Sequence, residues 1–365
     1  MSEVMPDPDR SDITRLLKAF RHQEADRLPH LELWVTSQAV YEYVLERSLP
    51  YVIGDAAEGG QSITPEDDVE FAQRLGQDAV LCNLNWRPNN VFEKAVDGTR
   101  HYVGGTIKTL ADLDDLEPPT PLDDQLRHLE RYVRAVQGTG VGVIANLTSF
   151  FDSALLAIGM TDAMYMFYDN RSLIEQLMDR LLAHQEMVMQ SVCDRFGSDL
   201  ALVMVNDDIG YNSGLMIRPK MFMEIFPHRM QRLIAPAKAC GKLVLMHTDG
   251  KLDDILPILY DVGIDVNHPV EPESNDIFAV KQKWAGKMAF VGNIHTPLLA
   301  YGRLEEIEQK VKEYCVRLAP GGGYALGSST SIMAGIPPEN FMSMILAVHK
   351  YGRYGSLGQV ARQTI

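Results

Sequence analysis

Leu243-Val244-Leu245-Met246-His247-Thr248-Asp249-Gly250 decides how this chain reads. Four consecutive apolar residues describe a strand buried on both faces. A histidine and a carboxylate follow at once, and then a glycine that lets the chain turn. Where strands alternate with helices, polar chemistry collects at the C-terminal ends of parallel strands. An imidazole and a carboxylate two residues apart at such a mouth can jointly bind a metal ion or a polar substrate. The bland alternative is a His and an Asp that cap the next helix.

The same apolar run with a polar end recurs on both sides. Before it come strands at Pro29–Trp34, Asp78–Asn83, Val141–Asn146 and Leu200–Asn206. After it come Ile264–Asn267, Met288–Val291 and a short strand at 324–326. Between them the apolar residues fall at helical spacing, over about 12–21, 67–76, 122–137, 153–168, 171–196, 252–262, 274–285 and 304–319. A helix over 219–240 contains Pro227 and Pro236, which predicts a kink or a break. Pro337-Pro338-Glu339-Asn340 opens a last helix to Lys350.

Eight such units predict an α/β protein with a closed parallel (β/α)8 barrel. An open doubly wound sheet is the runner-up, weakened because no Gly-rich dinucleotide fingerprint or P-loop follows any strand. Gly321-Gly322-Gly323 precedes a strand and reads as a turn. Residues 1–10 read as a loose tail, 11–355 as one barrel domain and 356–365 as a C-terminal tail. Pro118-Pro119-Thr120-Pro121 forces an extended passage, taken as a surface crossing inside that domain.

A composition 46% hydrophobic and 23% charged is that of an ordinary globular protein. The net charge of −15 and the lack of any Lys/Arg cluster argue against a nucleic-acid partner. Cys82, Cys193, Cys240 and Cys315 form no CxxC pair and read as reduced thiols. The first residues lack the basic and apolar regions of a signal peptide, and no apolar run reaches membrane-spanning length, so the expected location is the cytoplasm.

On a barrel, the strand ends converge. They carry Glu32 and Trp34, Asn83 and Asn85, Asn146, Asp207 and Asp208, His247 and Asp249, His268 and Glu271, Asn293 and His295, and Ser328 to Thr330. A lone Asn at a strand end is usually a turn residue, and His295 before Thr296-Pro297 reads as a helix-start residue. Adjacent carboxylates such as Asp207 and Asp208 point opposite ways, so one can bond the backbone while the other faces a pocket. Two carboxylates sharing a pocket would raise one pKa and allow acid–base work. Trp34, Trp86, Phe150, Phe151 and Tyr211 suggest an apolar portion of a substrate, with ordinary packing as the alternative.

Taken together, these segments resemble the uroporphyrinogen decarboxylase superfamily. The likeness runs from Arg15-Leu16-Leu17-Lys18-Ala19-Phe20 and Asp26-Arg27-Leu28-Pro29 through Asp207-Asp208 and His247-Thr248-Asp249-Gly250. It continues through His268-Pro269-Val270-Glu271-Pro272 and Val291-Gly292-Asn293-Ile294 to Pro337-Pro338-Glu339-Asn340. The superfamily includes the tetrapyrrole decarboxylase and zinc-dependent methyltransferases that exchange methyl groups with corrinoid proteins and thiols.

Three departures set the chain apart from the decarboxylase. Leu31-Glu32-Leu33-Trp34 stands where the resemblance implies substrate-binding arginines, Asn85 where it implies an essential aspartate, and Ser328 where it implies a histidine. The methyltransferase branch implies a His-x-Cys at His247-Thr248-Asp249 and a second Cys near the Gly-rich turn. Here Asp249 takes the first place and Gly322 or Ser328 the second. Zinc affinity should fall without thiolates, though a His/carboxylate set remains a legitimate zinc site.

The expected metal set is Glu32, His247, Asp249 and Glu271, with Asp207, Asp208, His247 and Asp249 as catalytic residues. Trp34, Asn85, Asn146, Tyr211, His268 and Ser328 are the expected substrate contacts. The leading functional expectation is metal-assisted methyl transfer (demethylation) from a small substrate to a corrinoid protein or to a pterin such as tetrahydrofolate. The alternatives are a lyase acting on a smaller carboxylic acid and a non-catalytic binding protein on the same scaffold. The resemblance also implies a homodimer.

Overall fold

The structure, a computed structural model, describes residues 10–53, 62–94, 100–118 and 121–358. Nearly all of the expected N-terminal tail, Pro119 and Thr120 of the proline-rich passage, and 359–365 of the C-terminal tail lie outside the described residues. The chain gathers into two compact units. The first comprises Met1–Leu81, Arg131–Ile144 and Asp265–Ile365, and the second Cys82–Glu130 and Ala145–Ile264.

Strands β1 (Ala79–Asn83) and β2 (Gly142–Thr148) begin in the first unit and end in the second. They are followed there by β3 (Leu200–Asn206) and β4 (Val244–His247), and the four lie side by side in chain order. β3 and β4 are parallel, with Val203 opposite Val244 and Asn206 opposite His247. Every residue of β2 and β4 is buried, which is why these strands read as continuous apolar runs rather than alternating ones. Helices Phe151–Ile158, Met160–Asp169, Arg171–Phe196 and Pro219–Ala239 supply the rest of this core. Phe151, Phe222 and Phe226 pack ring to ring, with Phe222 and Phe226 centroids 4.6 Å apart. Each such buried ring stabilises the fold by roughly 1.5–3 kcal/mol.

In the first unit β5 (Val266–His268), β6 (Ala289–Val291) and β7 (Tyr324–Ala325) are parallel neighbours in that order. The expected strand at Pro29–Trp34 is not a regular strand. His30 makes a single parallel bridge to Leu326, supported by Leu31 N–H to Leu326 O at 2.8 Å and Leu326 N–H to Pro29 O at 2.9 Å. Pro29 has no N–H to extend this ladder. On its other side Glu32 meets a side chain instead of a strand. Gln77 Oε1 accepts the Glu32 N–H at 2.9 Å, while Gln77 Nε2 donates to Ala79 O at 2.7 Å and Glu32 O at 3.4 Å. One buried amide thus does the work of a short backbone ladder.

Several expectations differ in detail. The helix expected over 153–168 is two helices, parted at Gly159, whose φ of 105° is open to glycine and strained for other residues. The helix Pro219–Ala239 runs unbroken through Pro227 and Pro236. The antiparallel hairpin Asn90–Lys94 with Arg100–Gly105 was not expected from the sequence, nor was the helix Gln38–Leu45. All four cysteines are free thiols, and only Cys240 is exposed. Among the described residues no helix is long and apolar enough to cross a membrane.

Candidate metal and acid–base site

The register of β3 on β4 builds the site. Because Asn206 lies opposite His247, the residues leaving the two strands stay side by side. Asp207 N–H donates to His247 O at 3.1 Å, Ile209 N–H to Thr248 Oγ1 at 3.1 Å, and Asp249 N–H to Asp208 Oδ1 at 3.3 Å. The loops then pass at van der Waals limits. A Cβ on Gly210 would lie 2.6 Å from Asp249 O, and one on Gly250 would lie 2.6 Å from Tyr211 N. Glycine is therefore required at both crossings.

This stitching brings one donor atom each from Asp208, His247 and Asp249 within 4.8 Å of one another. His247 Nε2 lies 3.7 Å from Asp208 Oδ1 and 3.8 Å from Asp249 Oδ1. His247 is buried, and its pKa falls to about 3 through desolvation and the nearby Arg87 charge. The imidazole is therefore neutral at physiological pH, the form that ligates metals. Asp208 and Asp249 are half-exposed, so the cluster is open to a ligand. Burial raises the Asp208 pKa, opposed by the Asp249 N–H and by Arg87. One neutral imidazole and two carboxylates fit a divalent cation of hard or borderline character, zinc included.

Asp207 has a different task. It is fully buried, with Oδ1 accepting the Asp152 N–H at 2.7 Å and Oδ2 the Phe151 N–H at 3.3 Å, at the start of the helix Phe151–Ile158. Burial and the neighbouring Asp152 carboxylate push its pKa well above the usual carboxylate range. Asp152 is also raised, chiefly by burial, and Arg87 opposes the shift by donating to its Oδ2 at 2.8 Å. The Arg87 loop is itself fixed. Thr148 Oγ1 bonds both the N–H and the carbonyl of Trp86 at 3.0 Å, and Gln185 Nε2 donates to the same oxygen at 3.0 Å.

Arg87, Thr148, Asp152 and Gln185 escaped the sequence reading. Arg87 and Asp152 each sit a few residues beyond a strand end, and extending the search past the first polar residue would have reached them. Of the other expected residues in this unit, Asn146 is buried and donates to Asn83 Oδ1 at 2.8 Å and to Asn85 Oδ1 at 3.4 Å. Tyr211 is 64% exposed and lines a cavity of about 310 Å³ with Met160, Met164 and Met216. Phe150 and Phe151 are core residues with no exposure, and Trp86 is buried edge-on to His184.

The first unit holds Glu32, Trp34, His268, Glu271 and Ser328. Glu32 Oε1 accepts the Ser328 N–H at 2.8 Å and Oε2 the Ser328 hydroxyl at 2.7 Å. Burial pushes the Glu32 pKa up to about 7 against the pull of those two bonds. His268 is buried, precedes a cis peptide bond to Pro269, and packs edge-on to Trp34 with centroids 6.1 Å apart. The Glu271 carbonyl accepts the N–H groups of Ser274 and Asn275 and closes a turn. His295 Nε2 pairs with Glu273 Oε1 at 2.6 Å.

Parallel strands joined through helices, with ionisable side chains at the strand ends, define an α/β protein of the enzyme-bearing kind. The sequence profile described as Uroporphyrinogen decarboxylase (URO-D) matches residues 94–351, well over half of the chain, and the chain belongs to that family. A uroporphyrinogen decarboxylase from Pseudoalteromonas atlantica is 34% identical over 76 residues, a match covering 21% of each chain. The fold is similar to that of a methyltransferase from Methanosarcina mazei, with a TM-score of 0.68 and 17% identity, covering 93% of this chain and 99% of the other.

Proposed function

We propose that this chain is a metal-assisted methyltransferase, taking a methyl group from a small substrate to a corrinoid protein or a pterin. In this reading its strands follow the (β/α)8 plan, with the run at Pro29–Trp34 as the eighth member. The observation that carries the proposal is the cluster of Asp208, His247 and Asp249, three ligand atoms of metal-binding type held together by the β3–β4 register. The fold shared with a methyltransferase supports the reaction class.

Asp208, His247 and Asp249 would hold the ion. A bound zinc would supply Lewis acidity toward the heteroatom that carries the methyl group. The chain's own residues do the rest. Asp207 anchors the helix that presents Asp152, Asp152 fixes Arg87, and the neutral form of His247 leaves one ring nitrogen able to ligate. The three departures from the decarboxylase, at Glu32, Asn85 and Ser328, argue against the polyanionic tetrapyrrole as substrate, because none of them offers a positive charge to its carboxylates.

The neighbouring carboxyl groups of Asp152 and Asp207, both raised chiefly by burial, favour a second reading, a lyase acting on a smaller carboxylic acid by proton transfer. The two separate in one assay. Small methoxy and methylthio compounds are offered with free cobalamin or tetrahydrofolate as acceptor, and carbon dioxide release is followed in parallel. Methyl transfer that disappears in the His247→Ala/Asp249→Ala variant supports the first reading. Transfer that survives both substitutions overturns it.

A further inference from the structure

We infer that Arg87 anchors a carboxylate of the substrate beside the Asp208, His247 and Asp249 cluster, an inference that rests on the metal reading above. Arg87 is preorganised to an unusual degree for a loop residue. The preceding Trp86 is clamped at its N–H and its carbonyl by one hydroxyl, Thr148 Oγ1, and its ring is buried edge-on to His184. Two residues earlier, the Leu84 N–H is held by Asn146 O at 2.8 Å. From this fixed root the guanidinium spends one nitrogen, Nη2, on Asp152. Its other N–H groups make no hydrogen bond to the described residues, and 37% of the side chain remains exposed. A planar fork with donors to spare suits bidentate capture of a carboxylate, which a lysine could not reproduce.

Charge bookkeeping permits an anion here. Asp152 balances Arg87, and the two ligand carboxylates of Asp208 and Asp249 would balance a divalent ion. With metal bound, the ion would offset Asp208 and Asp249 while Arg87 offsets Asp152, so an incoming carboxylate can be accommodated. Without it, the half-exposed Asp208 and Asp249 would repel an anion. The preference for an acid should therefore be larger with metal bound.

The probes are methoxyacetate and 2-methoxyethanol, which differ in whether the chain ends in a carboxylate or an alcohol. Each is titrated calorimetrically into the full-length protein, with and without zinc. In zinc-loaded wild type the acid binds roughly tenfold tighter than the alcohol, the scale of a charged hydrogen-bond pair. Arg87→Gln reduces the acid to the level of the alcohol. Arg87→Lys, which keeps the charge beside Asp152, retains an intermediate share and separates the effect from a general loss of structure. An Arg87→Gln variant that binds the acid as wild type does, or a wild type that does not discriminate, overturns the anchor. Failure of zinc to bind is seen separately, in the metal titration. In that case an acid preference that vanishes in Arg87→Gln keeps the anchor without the metal, and its absence removes both.

Discussion

Asn206 and His247 stand opposite one another on parallel strands β3 and β4. From that one pairing follow the positions of Asp207, Asp208, His247 and Asp249. Asp207 turns back to the start of the helix Phe151–Ile158, and Asp208 turns toward His247 and Asp249. Adjacent carboxylates have separate roles because successive side chains leave an extended backbone on opposite sides.

Glu32 makes stability depend on pH in a defined direction. Its pKa is raised from the ordinary carboxylate value to about 7, so the folded chain keeps a proton that the unfolded chain has released. Its contribution is fully present below the ordinary value near 4.5 and is lost as pH rises through about 7. Glu32→Gln should flatten that fall by up to ~3 kcal/mol. Urea denaturation at pH 5 and pH 8 measures it. An unchanged slope would mean that Glu32 is ionised in the folded state.

The Gln77 amide carries three hydrogen bonds in a buried position. Gln77→Leu keeps the bulk but leaves the Glu32 N–H and the Ala79 carbonyl unsatisfied, which should cost roughly 2–4 kcal/mol. Chemical denaturation gives the number. A loss below about 0.5 kcal/mol would show that other groups or water replace the amide.

His30 is buried, and neither ring nitrogen has a hydrogen-bond partner among the described residues. Its ring lies edge-on to His349, with centroids 5.3 Å apart. Desolvation, with help from His349, Arg27 and Arg15, drives its pKa well below 6.5. The neutral form is favoured in the folded chain, so stability is full above pH 6.5 and is lost as pH falls below it. His30→Leu should raise stability at pH 7 by about 1 kcal/mol and reduce its loss at pH 5. Thermal melts at the two pH values test both parts. Equal acid sensitivity in the variant would assign the effect to other groups.

Most of the α/β alternation could be read from the sequence because its strands are buried on both faces. Leu200–Asn206 and the helix Arg171–Phe196 have the limits expected from their apolar patterns. The Pro29–Trp34 run could not be read correctly, because its ladder is completed by a side chain 45 residues away, and local pattern carries no trace of that. The hairpin Asn90–Lys94 with Arg100–Gly105 was missed for another reason. Its residues are largely exposed and lack the apolar alternation that marks a strand. His247 and Asp249 announced themselves by their place after an apolar run. Asp208 entered as half of an acidic pair, and only the register of β3 on β4 explains why it, rather than Asp207, meets the imidazole. Arg87 and Asp152 depend on two loops meeting, a relation that no single stretch of sequence contains.

The central claim is that Asp208, His247 and Asp249 hold a divalent ion. Zinc binding to the purified chain, by competition with a chromogenic chelator, tests it most directly, with the His247→Ala/Asp249→Ala variant alongside. The account predicts near-stoichiometric uptake by the wild type and an affinity at least about a hundredfold weaker in the variant, since two of three protein ligands are gone. A wild type that takes up no zinc, or a variant that binds it equally well, would contradict the account.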